Sequence, residues 1–169
     1  MFFYLGGHMA LFLSTTVNKV DKKGRVSVPA PFRTTLAGQS FAGIVAFPSP
    51  ELGAIDACGI DRMEALSASL DEPDQYSHEE LDLARLIFAQ AEQLAFDDTG
   101  RVVLPRPLGA HAHITSEVLF VGNGPTFQMW QPQRYKTYSQ DTLKQAASKG
   151  VNLRLRPIPR GRNGPGGGS

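Results

Sequence analysis

Val20-Asp21-Lys22-Lys23-Gly24-Arg25-Val26-Ser27-Val28-Pro29 returns 76 positions later as Phe96-Asp97-Asp98-Thr99-Gly100-Arg101-Val102-Val103-Leu104-Pro105. The shared frame is apolar-Asp-x-x-Gly-Arg-Val-x-apolar-Pro, with a further apolar residue three places after each proline, Phe32 and Leu108. Asp-x-x-Gly is a turn signal: the carboxylate can bond the backbone ahead of it, and glycine tolerates a positive φ. Val26-Ser27-Val28 and Val102-Val103-Leu104 then read as short β-branched strands, each stopped by a proline. A unit present only twice points to a duplicated domain rather than a solenoid. The expected boundaries are 10–84 and 85–150.

Working outward, Thr16–Val20 is expected to pair with Val26–Val28 across the first turn, and Leu94–Phe96 is its shorter counterpart. Pro31 falls at the first position of a helix through Leu36, which Gly38 can end. Gly43–Phe47 and Val118–Val121 read as equivalent strands. Ala54–Ala57 and Phe127–Trp130 read as the strands that follow, with Gly122–Pro125 as a turn. Ile60, Met63, Leu66 and Leu70 form a helical stripe. A helix over 77–91 offers Leu81, Ala84, Leu86 and Phe88 for burial, and another runs from Pro132 to Lys149. Residues 1–9 read as an N-terminal extension, a cloning scar or an upstream start with Met9 as the natural first residue. Residues 151–169, rich in arginine, glycine and proline, are expected to be disordered.

The 169 residues are 41% hydrophobic and 20% charged, ordinary for a chain with packed cores, and the net charge is only +1. The charge is unevenly spread. Residues 18–36 hold five bases (Lys19, Lys22, Lys23, Arg25, Arg33) and one acid, whereas residues 51–98 hold thirteen acids and two bases. A compact basic block can present a positive face to phosphates even on a near-neutral protein. A lone cysteine, Cys58, builds neither a disulfide framework nor a Cys-rich zinc site and fits a reducing compartment. No apolar run is long enough to span a bilayer.

The paired Asp-x-x-Gly-Arg units, with their following strands and helices, resemble the MraZ family of bacterial transcriptional regulators, within the wider AbrB-like group. The likeness extends over about Met9 to Gly150. It implies an α+β, β-rich fold of two tandem AbrB-like (double-ψ or swapped-hairpin β-barrel) domains with short flanking helices. It further implies a cytoplasmic, nucleoid-associated protein assembled into ring-shaped homo-oligomers. Such a protein binds repeated G-rich double-stranded DNA upstream of the division and cell-wall genes.

On that reading a two-stranded element enters the major groove. Arg25 reads guanine, and Lys19, Lys22 and Lys23 touch phosphate and set register. Arg101 contributes from the second copy, whose turn has lost both lysines. Asp21, Gly24, Asp97 and Gly100 form or orient the turns, and a purely intramolecular Asp–Arg staple is the alternative role for each carboxylate. No enzymatic activity, cofactor, metal, membrane or small-molecule substrate is expected. Asp98-Thr99-Gly100 matches the aspartic-protease tripeptide only weakly, because Arg101 follows it. His111 and His113 lack nearby acidic or thiol ligands. Cys58 reads as a small buried residue. The rival from another class is an antitoxin-like or other protein-interaction module with the same fold.

Overall fold

A computed structural model describes residues 10–155; the extension 1–9 and the tail from residue 156 lie outside the described residues. The chain divides into two units, the first running through Lys136 and the second beginning at Thr137.

The first unit is α+β and rich in strands. Its elements are β1 (Thr15–Lys19), β2 (Arg25–Ser27), α1 (Ala30–Leu36), β3 (Gly43–Pro48), β4 (Ile55–Cys58), α2 (Ile60–Ser69), α3 (His78–Gln90), β5 (Glu92–Ala95), β6 (Arg101–Val103), α4 (Arg106–His111), β7 (Glu117–Gly122) and β8 (Phe127–Trp130). Helix α5 (Pro132–Lys149) begins in this unit and continues into the second. Its part in the second unit buries no residue, and Leu143 is largely exposed. Residues 151–155 are exposed and carry no regular structure.

β1 does not pair with β2 across the first turn. Six strands form one sheet in the order β1-β7-β8-β4-β3-β5, and β2 pairs only with β6 in a separate two-stranded ribbon. Every pairing between strands that are not neighbours in sequence, β1–β7, β2–β6, β3–β5 and β4–β8, joins one repeat to the other. The boundary at 84/85 falls inside α3. The registers are symmetric about two points: Val26 faces Val102 in the ribbon, and Asp56 faces Gln128 between β4 and β8. Each strand thus meets its own repeat-mate or the equivalent partner in the other copy.

Alternation decides which face is buried. Ile44 and Ala46 of β3, Ile55 and Ala57 of β4, Val118 and Phe120 of β7, and Phe127 and Met129 of β8 all point to one side. Against them pack Val26 and Val102 of the ribbon, Phe32 and Leu36 of α1, and Leu108 of α4. Phe12 joins this core from the stretch ahead of β1, with its N–H bonded to the Gly124 carbonyl at 2.7 Å. The opposite sheet face packs Val45 and Cys58 on Met63 of α2 and on Ile87 and Phe88 of α3. Leu86, expected to be buried, is 52% exposed, and Ile87 takes its place. Ser77 caps α3 in a reciprocal capping box with Glu80. Pro31 sits one place later than expected, since α1 starts at Ala30. The short α4 had no helical period of its own to announce it.

Candidate nucleic-acid interface

Both Asp-x-x-Gly-Arg segments fold into the same turn. The Gly24 N–H donates to the Asp21 carbonyl at 3.0 Å, and the Asp21 N–H donates to the Arg25 carbonyl at 2.9 Å. In the second copy the Gly100 and Asp97 N–H groups make the equivalent bonds at 3.0 and 2.8 Å. Gly24 and Gly100 both have φ of 80°, the left-handed region that closes a tight turn of this kind. A Cβ at Gly100 would also lie 2.5 Å from Arg33 Nη1, so a side chain there would displace Arg33 besides straining the backbone.

The aspartates do the orienting. Asp21 Oδ1 accepts from the Lys23 and Arg25 backbone N–H groups, each at 2.9 Å, and Oδ2 accepts from Arg25 Nε at 2.6 Å. Asp97 Oδ1 accepts from the Thr99 N–H, the Thr99 hydroxyl and the Arg101 N–H, while Oδ2 accepts from Arg101 Nε at 2.7 Å. Each guanidinium is thus held through Nε alone. Among the described residues its Nη1–Nη2 edge meets no acceptor. Both arginine side chains are about one-third exposed, so they lie at the surface and not in the core.

The ribbon brings the two copies together. The Leu104 N–H donates to the Gly24 carbonyl at 2.8 Å, and the Val28 N–H donates to the Gly100 carbonyl at 3.1 Å. Each turn is therefore closed by the strand end of the other copy. Val26 and Val102 face inward at 1% exposure, which leaves Arg25, Ser27, Arg101 and Val103 on the outer face. Arg25 faces Val103 and Ser27 faces Arg101. Arg25 and Arg101 are thus diagonal neighbours, about 7–8 Å apart by standard sheet geometry.

Lys22 and Lys23 are exposed at one turn, and Asp98 and Thr99 at the other. Lys19 is exposed on β1, off the ribbon and opposite Glu117 in register. The Asn18 side-chain amide ties that part of β1 to the ribbon through the Ser27 carbonyl at 2.7 Å. Arg33 was legible only as part of a basic block. Its Nε donates to the Val28 carbonyl at 3.1 Å, and its side chain lies across Gly100, bringing a first-copy cation to the second turn.

Charge follows from this geometry. The Arg25 N–H holds the Asp21 carboxyl below the usual carboxylate range, with its guanidinium and the Lys23 N–H adding to the effect. The Arg101 N–H and Thr99 hold Asp97 lower still. A lowered carboxyl contributes stability above its unfolded pKa and loses it as pH falls through the folded value. Both turns are therefore expected to stay intact below pH ~3.9, the unperturbed aspartate value. An NMR titration of the Arg25 and Arg101 Nε–H signals should show no movement until the solution is more acidic than that. Movement near pH 5 would contradict the assigned bonds.

The weaker candidates find other roles. Asp98, the aspartate of the protease-like tripeptide, is exposed at the tip of the second turn, beside the Asp97 that shapes that turn. His111 Nε2 sits 3.2 Å from the Leu52 carbonyl, and His113 adopts a φ of 54°. Burial pushes the Cys58 thiol up to about 12, an inert packing residue. Among the described residues, no helix is long and apolar enough to cross a membrane.

Comparison with known proteins gives a consistent picture. A family model described as "MraZ protein, putative antitoxin-like" matches residues 87–153. The chain is 46% identical over 147 residues to a protein of Rickettsia bellii named transcriptional regulator MraZ, an alignment covering 86% of this chain and 98% of that protein. Proteins of the same name from Rickettsia canadensis and Rickettsia felis are each 44% identical over 146 residues, with the same coverage.

Proposed function

The chain belongs to the MraZ family, and from that membership we propose that it is a transcriptional regulator that binds double-stranded DNA through the β2–β6 ribbon. The observation that carries the reading is the pair of guanidinium groups, Arg25 and Arg101, each fixed through Nε by an aspartate and presented on one outward face. A two-stranded ribbon fits the major groove, and a planar guanidinium matches the O6 and N7 acceptors of guanine. Fixing it beforehand removes rotamer entropy that binding would otherwise cost. Lys22 and Lys23 reach phosphate beside it, and Lys19 adds a more distant charge. Asp21, Gly24, Asp97 and Gly100 serve the arginines by shaping the turns, so the staple and the orienting role are one role.

The finer parts of the reading rest on family membership. These are repeated G-rich sites near division and cell-wall genes, a ring-shaped homo-oligomer, nucleoid association in the cytoplasm, and an AbrB-like swapped-hairpin domain for each of 10–84 and 85–150. The cross-repeat pairing of β2 with β6 supports the swapped arrangement. The antitoxin-like description of the family model favours, as a second reading, a protein-interaction module.

Fluorescence anisotropy on tandem guanine-containing repeats against shuffled duplex, across a salt series, separates the two. The regulator prefers the repeats and shows a steep salt slope; equal affinity for both duplexes favours the interaction module. Lys23→Ala is expected to weaken both duplexes alike. For each protomer engaged it should reduce the slope of log K against log[salt] by about 0.9, the signature of one lost phosphate contact.

A further inference from the structure

Val103 has no packing duty that explains it. Its neighbour Val102 points into the core, whereas Val103 is 57% exposed on the outer face of β6 among Arg25, Ser27 and Arg101. Single exposed hydrophobes are common on protein surfaces. What distinguishes this one is its position. The bonds from Leu104 to Gly24 and from Val28 to Gly100 mark hydrogen-bonded positions at both ends of the ribbon. Arg25 and Val103 therefore form a non-hydrogen-bonded pair, the kind in which side chains stand closest, with Cβ atoms about 4.5–5.5 Å apart. Val103 Cγ1 also lies 3.8 Å from where a Cβ on Gly24 would stand, so the side chain leans on the turn that carries Lys22 and Lys23. An apolar group thus stands opposite a fixed guanidinium and against the turn that carries two lysines.

Resting on the DNA-binding reading above, we propose that Val103 is a specificity-determining residue that packs against the 5-methyl group of a thymine adjacent to the guanine taken by Arg25. The methyl is the one apolar feature of the major-groove base edges, and it is what distinguishes thymine there to a side chain with no polar atoms. Neighbouring bases rise by about 3.4 Å along a strand, a spacing that the Arg25–Val103 pair can straddle. The symmetry of the ribbon sharpens the claim. Ser27 occupies the equivalent place beside Arg101, and a hydroxyl accepts several base edges without requiring a methyl. The thymine preference therefore belongs to the Arg25 half of the face alone.

The test uses the full chain and a duplex of tandem guanine runs flanked by thymines, each thymine replaced in turn by deoxyuridine, which lacks only the methyl. One replacement is expected to lower wild-type affinity about three- to fivefold, the size of one buried methyl group. Val103→Ser should bind with that discrimination erased, Val103→Ile should keep it, and Ser27→Val should acquire sensitivity at a second thymine. Wild-type protein indifferent to every replacement, or Val103→Ser still discriminating thymine from uracil, overturns the inference while leaving DNA binding in place. A wild-type chain that binds neither repeats nor shuffled duplex removes the DNA-binding reading and this inference together.

Discussion

Arg25→Ala is expected to lower affinity for guanine-containing repeats by about 5- to 150-fold while reducing affinity for shuffled duplex only by the loss of one charge. The range corresponds to the about 1–3 kcal/mol of discrimination that one bidentate arginine–guanine pair supplies. The shuffled duplex offers Arg25 only phosphates, so there the variant should resemble Lys23→Ala. If several protomers engage tandem repeats at once, the loss compounds across sites and the measured effect moves to the upper end or beyond it. Arg25→Lys should fail to restore preference. An ammonium has no Nε to give Asp21 Oδ2 and no planar fork to offer guanine. The fold should survive either change, because the Arg25–Asp21 pair is surface-exposed and Val26 beside it keeps its burial. Arg101→Ala should act in the same direction but less strongly, since Asp98 at the second turn repels phosphate where Lys22 and Lys23 attract it at the first. Unchanged site preference in a folded Arg25→Ala protein would show that the ribbon does not read bases.

The turn chemistry was legible in the sequence because it is local. Asp21, Gly24 and Arg25 lie within five residues, and the carboxylate, the positive φ and the ion pair all follow from that spacing. The strand partners were not legible for the same reason. Nothing between Val20 and Val26 says whether β2 folds back on β1 or crosses to β6, since the tight turn serves either arrangement. The deciding interactions are between residues tens of positions apart: Val26 against Val102, Asn18 against the Ser27 carbonyl, Leu104 against Gly24. Consequently the sequence marks neither Val103 nor Arg33 as a site residue. Val103 gains meaning only once Arg25 is across from it, and Arg33 only once α1 lies over the opposite turn. The helices behaved similarly. α3 carried its own capping box, whereas which of Leu86 and Ile87 is buried depended on where β3 lay beneath it.

The interleaved core sets the largest expected loss of stability, at Phe127. Its ring is fully buried and lies 5.0 Å from both Phe12 and Phe32 and 6.2 Å from Phe120. These four side chains come from the first residues described, α1, β7 and β8, so one ring joins both repeats. Duplication preserved the inward pattern but not the volumes. Phe127 faces Ala57 across the β4–β8 pairing, and Phe120 stands where β3 has Ala46. Small residues on the first copy's strands leave the space that the second copy's rings fill, so removing the Phe127 ring opens a cavity among the three remaining rings. Phe127→Ala is therefore expected to cost about 3–5 kcal/mol, at the upper end for a large-to-small change. That is a large share of the roughly 5–15 kcal/mol that holds a domain together. Thermal unfolding should shift down on the order of 10 °C, and urea midpoints should fall in parallel. Phe127→Leu, which keeps most of the volume, should lose far less. DNA binding should fail only as the protein unfolds, because the core packs beneath Val26 and Val102 and touches neither arginine. A Phe127→Ala protein with wild-type melting behaviour would mean that the two repeats do not share this core.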